Sequence, residues 1–232
     1  MRSLLEVHNL SYRHPNGTPA LTDISLQMPV GTNLVLFGPN GSGKTTFLLH
    51  LNGTLLGQGS IRVDGVEVKR SSLTEIRRTV GLVFQEADDQ LFMPTVLEDV
   101  MFGLLNLGWE PEMADIQARR TLAKVGVSDG LFSRAPFHLS AGEKRRVALA
   151  GVLAMEPKLL LLDEPTTSLD PPGQRALVQI LRALPQSKII ATHDAQFARA
   201  LSDRAVFMES GRLVADGDVD QLVKEFSWNP YS

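Results

Sequence analysis

At 232 residues the chain fits one domain, or one domain with an inserted subdomain. Hydrophobic residues make up 43% and charged residues 21%, ordinary values for a globular fold, and no run of about 18 apolar residues is long enough to span a bilayer. The absence of cysteine excludes a disulfide framework and thiolate metal sites, and a net charge of −3 with no basic block offers no phosphate-neutralising surface to nucleic acid.

The opening Met1-Arg-Ser-Leu-Leu-Glu puts an acid where a signal peptide needs its apolar core, so export is not expected. The next segments read as strands: Leu4–Leu10, a turn at His14–Gly17, and Ala20–Met28, which alternates around Leu21, Ile24 and Leu26. Asn33–Phe37 is a short apolar run leading into a glycine-rich loop. Ile61–Val68 has a central Asp-Gly, a strong hairpin signal. Val80–Phe84 reads as a buried strand.

From Glu86 to Glu156 the pattern turns helical, with Val96, Val100, Leu104 and Leu107 at helical spacing, and Ile116, Ala123 and the Ala118/Leu122 pair likewise. After Pro157, strands at Lys158–Asp163 and Lys188–Thr192 alternate with helices at Gln174–Leu184 and Ala195–Leu201. Strands Arg204–Met208 and Arg212–Ala215 flank a Ser-Gly turn, and Asp218–Glu225 closes as a helix. Apolar strands alternating with helices predict an α/β fold with a mainly parallel sheet covered on both faces. The tail Ser227-Trp-Asn-Pro-Tyr-Ser232 carries no signal.

The loop Gly38-Pro-Asn-Gly-Ser-Gly-Lys-Thr45 lies between an apolar strand and a helix, the context of a phosphate loop. Convergent backbone N–H groups and the helix N-terminus favour phosphate there. The nucleotide-binding candidates are Asn40, Gly41, Ser42, Gly43, Lys44, Thr45 and Thr46, with Lys44 on the β- and γ-phosphates and Thr45 on Mg²⁺. Leu159–Leu162 ends in Asp163-Glu164. A carboxylate at a strand C-terminus suits Mg²⁺ held through water, and Glu164 is the candidate base that polarises the attacking water.

Ser140-Ala-Gly-Glu143 is a capping box opening a helix that runs to Met155. That alone is a common structural device, although a capped helix N-terminus is also an anion site. The stretch Leu139-Ser-Ala-Gly-Glu-Lys-Arg-Arg-Val147 resembles the signature of ATP-binding-cassette (ABC) proteins, whose consensus begins LSGGQ. The resemblance covers nearly the whole chain. It implies a RecA-like core with an N-terminal antiparallel β subdomain (1–85 and 158–232) and an inserted helical subdomain (86–157). It also implies an ATPase that uses ATP and Mg²⁺ and works as a dimer, probing a partner's nucleotide with Ser140 and Gly142. Gln85 resembles the Q-loop glutamine that senses Mg²⁺ and the attacking water, Asp170 the D-loop residue that crosses the dimer interface, and His193 the switch histidine on the γ-phosphate. His14 stands where the family carries its adenine-stacking aromatic, with Tyr12 as the alternative. The sequence departs from the consensus at Ala141 and Glu143, where the family has Gly and Gln. Gly142 is retained, so activity is expected.

Gln85–Gly108, with Asp-Asp-Gln-Leu-Phe, Pro-Thr-Val and Glu-Asp-Val, is similar to the ATPases of energy-coupling-factor importers. That implies transmembrane coupling and substrate-binding subunits, a place on the cytoplasmic face of the membrane, and cobalt or nickel as the transported substrate, with a vitamin such as biotin as the alternative. Leu91, Phe92 and Met93 are the candidate contact for a membrane partner's cytoplasmic helix. His8, His50 and His138 are expected to be structural.

Overall fold

The computed structural model describes residues 2–202 and 204–228. The chain runs β1 (Ser3–Arg13), β2 (Pro19–Pro29), β3 (Asn33–Phe37), α1 (Lys44–Leu51), β4 (Gln58–Val63), β5 (Val66–Glu67), α2 (Leu73–Thr79) and β6 (Val80–Val83). Three helices follow: α3 (Val96–Asn106), α4 (Pro111–Lys124) and α5 (Ala141–Ala154). The remainder is β7 (Leu159–Asp163), α6 (Pro171–Ala183), β8 (Ser187–Ala191), α7 (Ala195–Leu201), β9 (Arg204–Glu209), β10 (Arg212–Asp218) and α8 (Val219–Glu225).

Two compact units result. One comprises Met1–Leu82, Lys158–Glu164 and Pro185–Ser232; the other comprises Val83–Pro157 and Pro165–Leu184. In the first, β2-β1-β4-β5 form an antiparallel sheet, and a six-stranded sheet runs β10-β9-β3-β8-β7-β6. Strand β3 pairs in parallel with both β8 and β9, and β7 with β8, while β10 returns antiparallel to β9. All five residues of β7 and of β8 are buried, as strands covered on both faces must be. The tight turn between β4 and β5 puts Asp64 and Gly65 at φ 48° and 84°, opposite Val63↔Val66 pairing, so the Asp-Gly hairpin forms with the twist that sheets prefer.

In the second unit α3, α4 and α5 pack together. Val96, Val100 and Leu104 line the buried face of α3, and Ala114, Ala118 and Leu122 that of α4, each at four-residue spacing. Small residues on α4 let the helices approach closely. Ile116 and Ala123 instead face solvent, because the alanine stripe provides the closer fit.

Two further differences from the sequence reading have local causes. Helix α6 begins at Pro171, three residues before the expected Gln174, because proline is well placed in a helix's first turn and Asp170 caps it. Helix α2 carries a single buried residue, Ile76, and therefore shows no periodic apolar pattern.

Candidate functional site

Strand β3 ends at Phe37, and the loop Gly38–Gly43 connects it to α1 within the first unit. At Gly38 the backbone has φ 148°, and a Cβ there would lie 2.1 Å from the carbonyl oxygen of Met208, so only glycine lets the loop leave the sheet. The loop is also braced by the Ser210-Gly211 turn, whose Gly211 N–H donates to the Ser42 carbonyl at 2.9 Å. Gly41, by contrast, has nothing within 4 Å of a Cβ. The Ser42 hydroxyl is buried with no hydrogen-bond partner. A buried hydroxyl without a partner costs about 1–3 kcal/mol, a penalty that an arriving phosphate oxygen would remove.

Lys44 opens α1 and is 6% exposed. Its Nζ donates to the carbonyls of Gly38 at 2.8 Å and Pro39 at 3.1 Å, and lies 3.9 Å from Glu164 Oε1. Burial pushes the Lys44 pKa down, and the charges of Glu164 and Asp163 oppose that shift. The ammonium therefore sits where more negative charge would stabilise it. Thr45 is exposed beside it and Thr46 is half-buried. Asp163 ends β7 with 4% exposure.

Glu164 follows at φ 41°, a left-handed conformation that costs a non-glycine residue about 1–3 kcal/mol. It is held there by its own N–H, which donates to the Ala191 carbonyl at 2.9 Å. Its Oε2 accepts from His193 Nδ1 at 2.8 Å and from the His193 backbone N–H at 3.3 Å. A carboxylate oxygen only accepts, so Nδ1 carries the proton of that bond. Glu164 Oε1, buried, makes no hydrogen bond. Its near neighbour is the Lys44 ammonium at 3.9 Å, so the carboxylate lies beside the glycine loop with one oxygen free of hydrogen bonds.

One contributor escaped the sequence reading. Trp228 Nε1 donates to the His193 carbonyl at 3.2 Å, and its ring meets Phe207 edge-on, while Phe207 stacks on Phe226 at 3.8 Å. The turn that aims it is a Schellman ending of α8, with Ser227 at φ 48°, Ser227 N–H on the Lys224 carbonyl and Trp228 N–H on the Val223 carbonyl. The tail positions 229–232 lie outside the described residues.

On β1, Tyr12 is half-buried, with His50 at 4.6 Å and His14 at 5.5 Å between ring centroids, both edge-on. Tyr12 lines a cleft of about 600 Å³ together with Pro19, Leu21, Leu56 and Gly57. His14 is exposed. His50 is fully buried, donates from Nδ1 to the Thr46 carbonyl at 2.7 Å, and has its pKa lowered by burial, which fits a neutral structural ring.

In the second unit, Ser140 caps α5 with a complete capping box. The Ser140 N–H and hydroxyl donate to Glu143 Oε2 at 2.8 and 2.7 Å, and Glu143 N–H returns to the hydroxyl at 3.4 Å. These bonds, the hydroxyl's foremost, hold the Glu143 pKa below its ordinary range. A Cβ on Gly142 would meet only the tip of Arg146, at 3.7 Å, which is ordinary contact. Nothing among the described residues requires glycine there, although it costs a helix about 1 kcal/mol relative to alanine.

Asp170 caps α6 through Gly173 N–H at 2.8 Å. Gln85 follows the end of β6, and its carbonyl accepts from Arg145. Phe92 is 63% exposed and meets Phe102 edge-on at 4.9 Å, while Leu91 and Met93 are half-buried. Asp99 Oδ1 accepts from the Phe92 and Met93 N–H groups, which fixes that loop. Burial raises the Asp99 pKa.

Among the described residues no group of three His, Asp or Glu side chains could hold a metal ion. Thr45 and Asp163 supply one hydroxyl and one carboxylate. This sparse hard-oxygen set fits Mg²⁺, which takes its other ligands from phosphate and water.

A glycine loop built this way, opening a helix with a buried lysine, belongs to the P-loop nucleotide hydrolases. The ABC transporter family model matches residues 21–167. Energy-coupling factor transporter ATP-binding protein EcfA of Methanothermobacter thermautotrophicus is 45% identical, over 96% of this chain and 73% of its own length. Cobalt import ATP-binding protein CbiO of Rhodobacter capsulatus is 47% identical, over 94% and 79%. The solved structure of cbiO1 from Clostridium perfringens, part of the ABC transporter complex cbiONQ, superposes with a TM-score of 0.84 at 35% identity, covering 97% of this chain and 92% of that one. The chain belongs to the ABC transporter ATP-binding family and is an ATPase of the energy-coupling-factor type.

Proposed function

We propose that this chain is the ATP-hydrolysing subunit of an energy-coupling-factor importer for cobalt or nickel ions. The observation that carries the hydrolytic part is the Glu164 carboxylate, tied to His193 through Oε2 and left without a hydrogen bond at Oε1, 3.9 Å from Lys44. Two copies bind two ATP molecules head to tail, each between Lys44 of one copy and Ser140 and Gly142 of the other.

Lys44 turns from the loop carbonyls to the β- and γ-phosphates, and Ser42 and the loop N–H groups take the remaining oxygens. The adenine stacks on His14, with Tyr12 as the alternative. Thr45, Asp163 through water, and Gln85 would hold Mg²⁺, which neutralises charge on the transferring phosphoryl group. Glu164 orients and deprotonates the attacking water, His193 contacts the γ-phosphate, and Asp170 reaches the opposite copy. Closure of the dimer supplies the motion, and hydrolysis reopens it.

A cobalt substrate is supported by the cobalt-import name of the Rhodobacter capsulatus relative. No described helix is long and apolar enough to cross a membrane. Attachment to the cytoplasmic face would therefore run through membrane partners, with Leu91–Met93 and the exposed Phe92 as the contact. Purifying the tagged chain from its native membrane tests the assignment. A polytopic coupling subunit should co-purify with a substrate-binding subunit, and the complex should drive ATP-dependent accumulation of ⁵⁷Co²⁺ in vesicles. Vitamin uptake in place of cobalt would replace the substrate, and absence of any membrane partner would remove the importer reading.

A further inference from the structure

The backbone that carries Gln85 is tied to helix α5 at successive levels. Arg145, 4% exposed, donates from one guanidinium nitrogen to the Phe84 carbonyl at 2.7 Å and from the other to the Gln85 carbonyl. Gln90 accepts from the Phe84 N–H at 3.2 Å and donates to the Ala148 carbonyl at 2.8 Å. Lys144 pairs with Asp88 at 2.6 Å. Residues 84–90 are thus held by positions 144, 145 and 148 of one helix.

Arginine at position 145 is a costly choice if only packing is at stake. Burying a cation carries a desolvation penalty that its partners must offset, and an apolar residue of similar volume often serves stability as well. What an apolar residue cannot do is hold two consecutive carbonyls in a fixed orientation. The planar, always-charged fork of arginine does that, whereas a lysine ammonium is a single point charge on a flexible stem. The first turn of the same helix holds Ser140 and Gly142, about 4.5 Å along the axis from Arg145 to Gly142 at the usual helical rise.

We propose that Arg145 is a positioning residue: it fixes the backbone of Gln85 to α5, so that nucleotide docked at the α5 N-terminus by a second copy sets where the Gln85 side chain is presented. The inference rests on the assignment of Gln85 to the hydrolytic water and of Ser140–Gly142 to the partner's nucleotide. Arg145 touches neither substrate nor reacting atoms. Its effect on hydrolysis is exerted through Gln85.

The test is a double-mutant cycle on steady-state ATP hydrolysis, with Gln85→Ala, Arg145→Met, Arg145→Lys and the two Gln85→Ala/Arg145 doubles. Arg145→Met keeps side-chain length while removing the buried charge. Its kcat should fall about tenfold or more, the scale of losing charged hydrogen bonds, while KM for ATP stays within about twofold. Arg145→Lys should fall between Arg145→Met and the parent. In the Gln85→Ala background, either Arg145 change should cost nothing further.

If Gln85→Ala lowers kcat and the doubles lose the product of both effects, Arg145 does not act through Gln85 and the inference fails alone. If Gln85→Ala turns over like the parent, the assignment of Gln85 fails and the inference with it. An Arg145→Met protein with parental kcat also overturns it. Should Arg145→Met not fold by circular dichroism, Arg145→Lys and its double carry the same comparison.

Discussion

The two units each carry a candidate site, and the sites differ in how far the chain itself explains them. Around Lys44, Glu164 and His193, most polar atoms have a partner: the lysine is held by loop carbonyls, and the imidazole and its N–H by the carboxylate. The strained φ of 41° at Glu164 is fixed by a backbone hydrogen bond to β8. At the start of α5 the capping box is satisfied, yet Gly142 answers to nothing nearby. In the first site the Ser42 hydroxyl and Glu164 Oε1 make no hydrogen bond among the described residues. The α5 N-terminus is instead a capped turn whose glycine meets no close contact among the described residues. A cassette that needs another copy to complete each nucleotide site accounts for both.

The comparison breaks most sharply at Glu164. Glu164→Gln should lower kcat by about 10²–10⁴-fold, the usual range for a general base, with nucleotide binding intact by fluorescent-ATP titration. Loss of binding instead would make Glu164 structural. Lys44→Ala should weaken ATP binding and lower kcat/KM by about a hundredfold or more, since it removes the main charge on the phosphates.

Gly142→Ala separates the two sites. Monomer stability should hold or rise by up to about 1 kcal/mol from helix propensity, read as a thermal midpoint, while ATPase activity drops. An active Gly142→Ala protein would mean the α5 N-terminus is only a cap. His14→Ala should raise KM for ATP by a few-fold, the scale of one lost aromatic contact, and leave kcat alone; a larger effect from Tyr12→Ala would move the stacking role to Tyr12.

The smallest effect concerns pH. Glu143 has a folded pKa below its unfolded one, so its contribution is present above the unfolded pKa and is lost as pH falls through the folded value. Glu143→Gln should be less acid-sensitive than the parent in equilibrium unfolding below the ordinary glutamate range.

Much of this was legible because it is local. Asp64-Gly65 demanded its turn, Ser140 and Glu143 their capping box, and the apolar run Leu159–Leu162 of β7 its place inside a covered sheet. The residues that meet at the hydrolytic site could be listed from their order along the chain, but their distances could not. Elements governed by tertiary context were missed. With one buried residue in seven, α2 offers no period to read. On α4 the stripe that matters is alanine, so the larger Ile116 misled. The burial of Arg145 carries no sequence signal, because its partners lie 60 and 61 residues earlier in the chain. Trp228 reaches His193 only through the left-handed turn at Ser227, which a serine does not announce.

The most direct measurement is the mass of Glu164→Gln in solution, by light scattering on a sizing column, with and without Mg-ATP. The account predicts a monomer without nucleotide, a dimer with it, and a monomer again when Gly142→Ala is added to the same chain. A Glu164→Gln protein that stays monomeric at saturating ATP, or a double variant that dimerises as well as the single, would contradict it.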